Sequence, residues 1–142
     1  MRMDKLAGSY LKESLLRLKS AKRAFDDGFW AYCIRQSQEC VELSLKAALR
    51  LVAIEYPKTH DVSQVLIEQK DRFPEKHREE INELAEISST LSKMRGPSMY
   101  GDELRGLPPE ELFTKRDAEY ALNSAEKAFN WAKKLLDAFK SS

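Results

Sequence analysis

The chain has 142 residues, of which 42% are hydrophobic and 33% charged, a composition that is typical of one soluble globular domain and excludes a disordered chain. Its 24 basic and 23 acidic side chains nearly cancel, which excludes a global positive field that would attract polyanions. Any binding of nucleotides or nucleic acid must therefore come from a local cluster of charges. The amino-terminal residues lack the apolar run of a signal peptide, and no segment has the length and apolar character of a membrane span. A cytoplasmic location without membrane contact is therefore predicted.

Helical periodicity runs through nearly the whole sequence, beginning with an amphipathic segment that repeats apolar residues from Leu11 to Phe25. Gly28 ends this first helix, and a long second helix follows at once. A connection as short as Asp26 to Gly28 predicts that the two helices pack antiparallel. The second helix ends at Tyr56, because a residue that precedes a proline disfavours the helical conformation.

Three further helical segments follow in the second half of the sequence. Pro74 is predicted to open one of them, and Thr114 and Asp117 form a capping box at the start of the last. The sequence therefore predicts an all-α fold, an antiparallel up-and-down bundle of four to five helices. It is predicted to form one domain over residues 1–142, with a loop over residues 95–113 between the last two long helices.

The second helix carries apolar residues on more than one face, among them Trp30, Tyr32, Ile34, Leu43, Leu49, Leu51 and Ile54. A helix that is apolar around much of its girth must be covered on two sides. Two interpretations follow. Either a second copy of the chain supplies the cover in a symmetric homodimer, or the helix is central within a monomer.

Cysteine and histidine are too sparse to indicate a metal site, and no glycine-rich phosphate loop is present. Cys33 and Cys40 are about 10 Å apart along a helix, which is too far for a disulfide, so both are predicted to be buried apolar side chains. His77 lies among charged residues and is predicted to be solvated. His60 is predicted to pack locally or to hydrogen-bond in a turn, and a catalytic role for it is the less favoured alternative.

Polar residues interrupt the apolar second helix at steps of three and four residues: Arg35, Gln38, Glu39 and Glu42. A partly buried row of polar side chains must find hydrogen-bond partners. The row is interpreted either as a structural network or as a cleft lined by arginine.

Glycine and proline punctuate the stretch KMRGPSMYGDELRG, which places Arg95, Tyr100, Asp102 and Arg105 between two helical segments. Such a stretch is either a binding site or a hinge. In the structural interpretation, Arg95 pairs with Asp102 or Glu103 and so pins the loop.

Several of these features together resemble the HEPN domain family (higher eukaryotes and prokaryotes nucleotide-binding). The segment RQSQECVELSLKAALRLVAIEYPKTHDV is similar to the second helix and following loop of that family. The resemblance extends over nearly the whole chain. It includes the turn at Gly28 and, in this order, the motifs Arg-Gln-x-x-Glu, Lys-Ala-x-Leu, Thr-His-Asp and Arg-x4-Tyr-Gly-Asp. The resemblance implies a four- or five-helix bundle that usually dimerises, often beside a minimal nucleotidyltransferase in a toxin–antitoxin pair. Many members of the family are metal-independent ribonucleases.

The ribonuclease members place a histidine four to six residues after an arginine. Arg95 matches that arginine, but the positions at which the histidine is expected hold Tyr100, Gly101 and Asp102. Cleavage of RNA needs a group that accepts the proton of the 2′-hydroxyl near neutral pH, which histidine does readily and tyrosine does poorly. The resemblance therefore favours a non-catalytic module that binds nucleotide or RNA and a nucleotidyltransferase partner. The alternative is a metal-independent ribonuclease, whose candidate catalytic residues are Arg95, Tyr100, Asp102 and His60.

Recognition of an anion does not require the missing histidine. Arginine side chains clamp phosphate groups, and an aromatic ring stacks on a base. The predicted ligand-binding residues are Arg35, Gln38, Arg95, Tyr100 and Arg105, provided that the fold brings them together. In a homodimer, two such loops would double the local positive charge. No metal and no cofactor is expected.

Overall fold

The computed structural model describes the backbone of residues 2–141 and the side chains of residues 5–141. It contains five α-helices: α1 (Arg2–Asp26), α2 (Trp30–Leu51), α3 (Ser63–Glu68), α4 (Ile81–Tyr100) and α5 (Lys115–Ser141). Short 3₁₀ turns occur at Lys70–Arg72, Glu75–His77 and Pro109–Glu111. No strand is present between residues 2 and 141, where the β-type pairing consists of an isolated bridge between Asp102 and Leu107. The predicted all-α fold is confirmed.

The turn between α1 and α2 is as short as the sequence predicts. Gly28 adopts a left-handed backbone conformation (φ +81°), which a residue with a side chain would adopt only with strain. The amide of Gly28 donates to the carbonyl oxygen of Phe25 at 3.1 Å, and the amide of Phe29 donates to that of Ala24 at 2.9 Å. The chain therefore reverses at once, and α1 packs antiparallel along α2.

Helix α2 is the central element of the bundle, because it packs against α1, α4 and α5. The Sγ atoms of Cys33 and Cys40 lie 3.8 and 3.7 Å from the carbonyl oxygens of Ala118 and Ala125. Both contacts span 85 residues, so α2 and α5 run parallel. The end of α4 reaches the first half of α2, while its earlier part contacts the segment that follows α2, so α4 runs antiparallel to α2.

This central position explains the apolar girth of α2. Ile34 and Leu49 are fully buried, and Leu51 and the following Ile54 are nearly so. The interpretation of α2 as a central helix within the monomer is confirmed. Trp30 and Leu43 are partly buried and Tyr32 is 48% exposed, so the chain itself covers most, but not all, of the apolar surface of α2.

Both cysteines are free thiols and fully buried, as predicted. Burial raises the pKa of Cys33 to about 11 and that of Cys40 to about 12. Both side chains therefore stay protonated at neutral pH and act as small apolar groups between α2 and α5.

Helix α4 differs from the sequence prediction at both ends. Pro74 precedes a 3₁₀ turn rather than opening the helix, which begins at Ile81. The predicted loop over residues 95–113 also begins later, because α4 continues through its Gly-Pro pair and ends at Tyr100. A proline inside a helix removes one backbone hydrogen bond, and here the packing of α4 against α2 outweighs that loss.

His77 is buried rather than solvated, so that prediction is wrong. Only 7% of the residue is exposed, and Trp131 of α5 donates from its indole Nε1 to the carbonyl oxygen of His77 at 2.9 Å. Burial lowers the pKa of the imidazole, and nearby Lys76 lowers it further. The surrounding sequence is charged, but the 3₁₀ turn directs this one side chain inward.

Candidate functional site

Three arginines from three helices converge on one carboxylate, that of Glu39 in α2. Arg17 of α1 places its Nε atom 3.2 Å from Glu39 Oε1. Arg95 of α4 places Nη1 3.2 Å from Oε2, and Arg35 of α2 places Nε 3.5 Å from the same oxygen. Because three cations face a single anion, this arginine cluster (Arg17, Arg35, Arg95 and Glu39) carries an excess of positive charge.

The arginine cluster is partly buried, which strengthens its electrostatic interactions relative to those of surface ion pairs. The side chains of Glu39 and Arg95 are 17% and 20% exposed, whereas those of Arg35 and Arg17 are 37% and 46% exposed. The Nε atom of Arg35 is itself buried, and its contact with Glu39 lacks the geometry of a hydrogen bond. Glu39 and Arg95 therefore form the more buried part of the cluster, and Arg17 and Arg35 reach solvent.

Gln38 links the arginine cluster to a second set of polar groups, and it is only 1% exposed. Its Oε1 accepts a hydrogen bond from Arg95 Nη1 at 2.6 Å. Its Nε2 donates to Glu42 Oε1 at 3.0 Å. Because both ends of the amide are engaged, the orientation of Gln38 is fixed.

Glu42 is the centre of this second set. Its Oε2 accepts a hydrogen bond from Lys46 Nζ at 2.9 Å, and its Oε1 lies 2.7 Å from Nδ1 of His60. Burial raises the pKa of the Glu42 carboxyl, but the hydrogen bonds from its three partners outweigh burial, and the net effect is a lowered pKa. Glu42 is therefore a carboxylate at neutral pH and orients the imidazole ring of His60.

His60 lies in the segment that joins α2 to α3, and that segment is anchored to α4. Asp61 Oδ1 accepts hydrogen bonds from the amide of Ser63 at 2.8 Å and from Ser88 Oγ at 3.2 Å. The hydrogen bond of His60 spans 18 residues to Glu42 instead of closing a local turn. With Nδ1 engaged in this way, Nε2 is the ring nitrogen that is left for a ligand, and the side chain is 55% exposed.

The sequence itself explains why these groups meet. From Arg35 to Lys46, the polar residues of α2 follow one another at helical spacing and so lie on one face. Arg17 and Glu39 each lie eleven residues from Gly28, and residues at equal distances from the turn lie level in an antiparallel pair of helices. Arg17 is not among the residues predicted from the sequence, and this symmetry is the signal that identifies it.

We call the connected set the polar network; it comprises Arg17, Arg35, Gln38, Glu39, Glu42, Lys46, His60 and Arg95. Its contacts are those expected of a structural network. They also bring Arg35 and Arg95 together, which a cleft lined by arginine requires. The alternative in which Arg95 pairs with Asp102 or Glu103 is wrong. Because α4 stays helical to Tyr100, Arg95 is directed toward α2.

Arg105 and Asp102 belong to a different structure, the connecting segment between α4 and α5 (residues 101–114). The backbone groups of Asp102 and Leu107 hydrogen-bond to each other at 2.8 and 3.0 Å, which closes a tight turn. Arg105 Nε lies 2.7 Å from Asp102 Oδ2, and this hydrogen bond lowers the pKa of the Asp102 carboxyl. The Arg105 side chain is 66% exposed and lines an apolar groove outside the polar network. The structure therefore does not bring Arg105 to Arg95.

Tyr100 also lies apart from the polar network. It is the last residue of α4 and is 65% exposed. It follows Arg95 by five positions, which corresponds to about 140° around an α-helix, so the two side chains project from different faces. Among the predicted catalytic partners of Arg95, His60 is the one that contacts link to it, through Glu42 and Gln38.

Among the residues that the structure describes, no group of three or more His, Cys, Asp and Glu side chains is arranged to hold a metal ion. Within the same part of the chain, no helix combines the length and the apolar character needed to cross a membrane.

The sequence matches the HEPN domain over residues 7–135. The chain belongs to the HEPN domain family. The matched region of this HEPN protein contains the whole polar network, from Arg17 to Arg95. No curated protein matches the sequence significantly.

Two solved structures share the fold of this HEPN protein. The crystal structure of ST0689, an archaeal HEPN homologue, is 26% identical in sequence with a TM-score of 0.69, and the match covers 92% of this chain and 97% of that chain. The crystal structure of TT1696 from Thermus thermophilus is 23% identical with a TM-score of 0.72, and the match covers 91% of this chain and 97% of that chain. The resemblance indicated by the sequence motifs is therefore confirmed for the family and its fold.

Proposed function

We propose that this HEPN protein is a non-catalytic module that binds the phosphate groups of a nucleotide or of RNA at its arginine cluster. The observation that carries the proposal is the convergence of three arginines on the single carboxylate of Glu39. Glu39 and Gln38 hold Arg95 in place. The more exposed Arg17 and Arg35 then have N–H groups left for phosphate oxygens, which match the planar guanidinium well.

An exposed aromatic residue on the same face of α2 as Arg35 supports the proposal. Tyr32 precedes Arg35 by three residues on the same face of α2 and is 48% exposed. Stacking of a base on such a ring contributes about 1–3 kcal/mol and tolerates any base. The proposal therefore assigns the stacking role to Tyr32 instead of Tyr100, and a phosphate contact to Arg17 instead of Arg105.

Binding of a fluorescent oligoribonucleotide, measured by anisotropy, tests this proposal. We expect Arg35→Gln to weaken binding about tenfold, because a hydrogen bond to a charged group contributes about 1.5–3 kcal/mol. The matched control is Arg105→Gln, which removes an arginine of the connecting segment and should change the affinity less than about twofold. Equal losses in both variants, or an affinity that does not fall as salt is added, would contradict the proposal.

Two further parts of the proposal rest on the relationship to the family. They are assembly as a homodimer and association with a minimal nucleotidyltransferase in a toxin–antitoxin-like pair, and the cytoplasmic location predicted from the sequence is proposed with them. We expect light scattering to give the mass of a dimer at micromolar concentration, and affinity-tagged protein to co-purify with a nucleotidyltransferase. The mass of a monomer or the absence of a co-purified nucleotidyltransferase would contradict these parts, and neither result bears on phosphate binding.

A second candidate function is metal-independent cleavage of RNA, and one observation favours it. The imidazole of His60 is linked to Arg95 through Glu42 and Gln38, although the position of the family's histidine holds Tyr100. In this reaction His60 Nε2 would accept the proton of the 2′-hydroxyl while the 2′-oxygen attacks phosphorus, and the 5′-oxygen would leave and take up a proton from water. Glu42 would orient the ring, and the arginine cluster would stabilise the negative charge on the phosphate.

Incubation with labelled RNA in the presence of EDTA separates the two functions. Intact RNA at a large excess of bound protein supports the non-catalytic module. Cleavage that gives 2′,3′-cyclic phosphate ends, and that is lost in both His60→Ala and Arg95→Ala, would establish the ribonuclease. Tyr100→Phe is the matched control, because Tyr100 lies outside the polar network and its hydroxyl should not affect cleavage.

A further inference from the structure

A cavity of about 910 Å³ opens at the end of the bundle where α2 ends. Its lining includes Tyr10, Lys46, Arg50, Tyr56 and Lys58, beside Glu42. Pockets that bind small molecules typically measure about 300–1,000 Å³, so the cavity is large enough for a ligand. It borders the polar network through Glu42 and Lys46 and extends away from the arginine cluster.

Arg50 is the residue that points to a ligand. Its Nε atom is buried and makes no hydrogen bond, and no carboxylate pairs with it among the residues that the structure describes. The guanidinium lies instead over the ring of Tyr10, with Cζ 5.8 Å from the ring centroid. Because a partly buried cation without an anionic partner is costly, an anion from outside the chain would stabilise it.

The two tyrosines supply both aromatic surface and a hydrogen-bond donor. Lys46 Nζ lies 5.6 Å from the ring centroid of Tyr56, a second contact between a cation and a ring in the same cavity. The neighbouring Tyr56 hydroxyl, together with burial, raises the pKa of Tyr10. Both tyrosines are therefore protonated at neutral pH, and an O–H group can donate to an oxygen of a ligand.

The charges at the cavity also favour an anion. Three cations line it, against two carboxylates, Glu42 and Glu55. Glu42 is already engaged by Lys46 and His60 within the polar network. Arg50 and Lys58 therefore outnumber the remaining carboxylate, Glu55, and leave an excess of positive charge to attract an anion, while Leu43 and Ile54 give part of the wall an apolar surface.

We infer that this cavity binds a nucleoside monophosphate group, either as a free nucleotide or as the terminal nucleotide of an RNA strand. The phosphate contacts Arg50 and Lys58, and the base lies against the tyrosine rings. A bare phosphate ion would fill little of the volume and would leave the apolar wall in contact with water. The inference goes beyond the proposed function, because Tyr10, Arg50 and Tyr56 lie outside the polar network.

Isothermal titration calorimetry with AMP tests the inference. We expect submillimolar binding to the wild-type protein, and binding at least about tenfold weaker for adenosine and for inorganic phosphate, because each lacks one half of the recognised group. Arg50→Gln should weaken AMP binding about tenfold. Because the arginine cluster also binds phosphate, the AMP titration is repeated in Arg35→Gln. AMP binding that remains in Arg35→Gln and is lost when Arg50→Gln is added belongs to the cavity, so failure of one site is distinguishable from failure of the other.

Lys58→Gln provides a second variant at an exposed position, in case the change at the partly buried Arg50 disturbs folding. We expect it to weaken AMP binding several-fold and to leave the circular dichroism spectrum unchanged. A 5′-phosphorylated oligoribonucleotide identifies the source of the ligand, since tighter binding than that of the same oligoribonucleotide with a 5′-hydroxyl supports an RNA end, and equal binding of the two supports a free nucleotide. No binding of AMP at millimolar concentration, phosphate binding as tight as that of AMP, or equal AMP affinity in all variants would overturn the inference.

Discussion

Arg95 and Arg105 come from the same short stretch of sequence, but the structure gives them different surroundings. The side chain of Arg95 is 20% exposed and bonds to Gln38 and Glu39, which are 57 and 56 residues away. The side chain of Arg105 is 66% exposed and pairs with Asp102, three residues away. The direction that the backbone gives a side chain, and not closeness in sequence, decides which arginines share a site.

The physical reason for the difference is the end of α4. Arg95 lies within the helix, where helical geometry fixes the direction of each side chain relative to its neighbours. Beyond Gly101 (φ +73°) the chain leaves the helix, and the bridge between Asp102 and Leu107 turns it back on itself. The polar network and the connecting segment should therefore respond separately to substitution.

The largest effect is expected at Gly101, where α4 ends. A Cβ atom at this position would overlap the carbonyl oxygen of Leu107, and the positive φ adds backbone strain. Gly101→Ala should lower the free energy of unfolding, measured by urea denaturation, by about 3 kcal/mol. Gly106→Ala is the matched control, because φ is +67° there but no atom lies within 4 Å of the added Cβ. It should cost only about 1 kcal/mol, and equal losses would show that the close approach to Leu107 does not hold the segment.

Removal of the charge on Glu39 should have the next largest effect. Glu39→Gln leaves three guanidinium groups around a neutral side chain and should lower the free energy of unfolding by about 2 kcal/mol. Asp102→Asn is the matched change in the connecting segment. Its Oδ1 can still accept from the amide of Arg105, and the lost pair is exposed, so little change is expected. A larger loss in Asp102→Asn than in Glu39→Gln would reverse the comparison.

Much of the fold could be predicted from the sequence, because it depends on signals that act over a few residues. Helical periodicity and the short turn at Gly28 correctly predict an antiparallel bundle. The burial of Cys33 and Cys40 follows from the same pattern. The end of α4 could not be predicted in this way, because a Gly-Pro pair indicates a break, whereas packing against α2 keeps the helix intact to Tyr100.

The candidate site was predictable only in part, because its contacts join helices that are far apart in sequence. The polar row on α2 was visible, and it does form a network. The partner of Arg95 could not be identified, since it depends on the register between α4 and α2. His60 was likewise predicted to act locally, although it contacts Glu42 across the end of α2.

The response to acid distinguishes the two regions in a different way. The pKa of Glu42 is lowered because three hydrogen bonds outweigh burial, whereas the pKa of Asp102 is lowered by its hydrogen bonds with Arg105 at the surface. The Glu42 carboxyl binds a proton more readily in the unfolded chain than in the folded protein. Ionised Glu42 therefore contributes to the free energy of unfolding at pH values above the usual pKa of a glutamate. That stability is lost as the pH falls through the folded-state value.

Urea denaturation between pH 6 and pH 3 measures this loss. We expect Glu42→Gln to show a shallower decline in the free energy of unfolding than the wild-type protein, because the variant has no proton to bind at this site. Asp102→Asn should follow the wild-type curve closely in salt, which screens its exposed pair with Arg105. A shallower curve for Asp102→Asn than for Glu42→Gln would show that the surface pair controls acid sensitivity.

The smallest effect is expected at Leu104, at the tip of the connecting segment. Its side chain is fully exposed and buries no apolar area, so Leu104→Ser removes no packing within the chain. The free energy of unfolding should change by less than about 0.5 kcal/mol. A larger loss that appears only at high protein concentration would place this leucine between two copies of the chain. An interface between copies stabilises the folded state more as the protein concentration rises. A larger loss at every concentration would instead show that the tip packs against its own bundle, and the separation between the connecting segment and the polar network would fail.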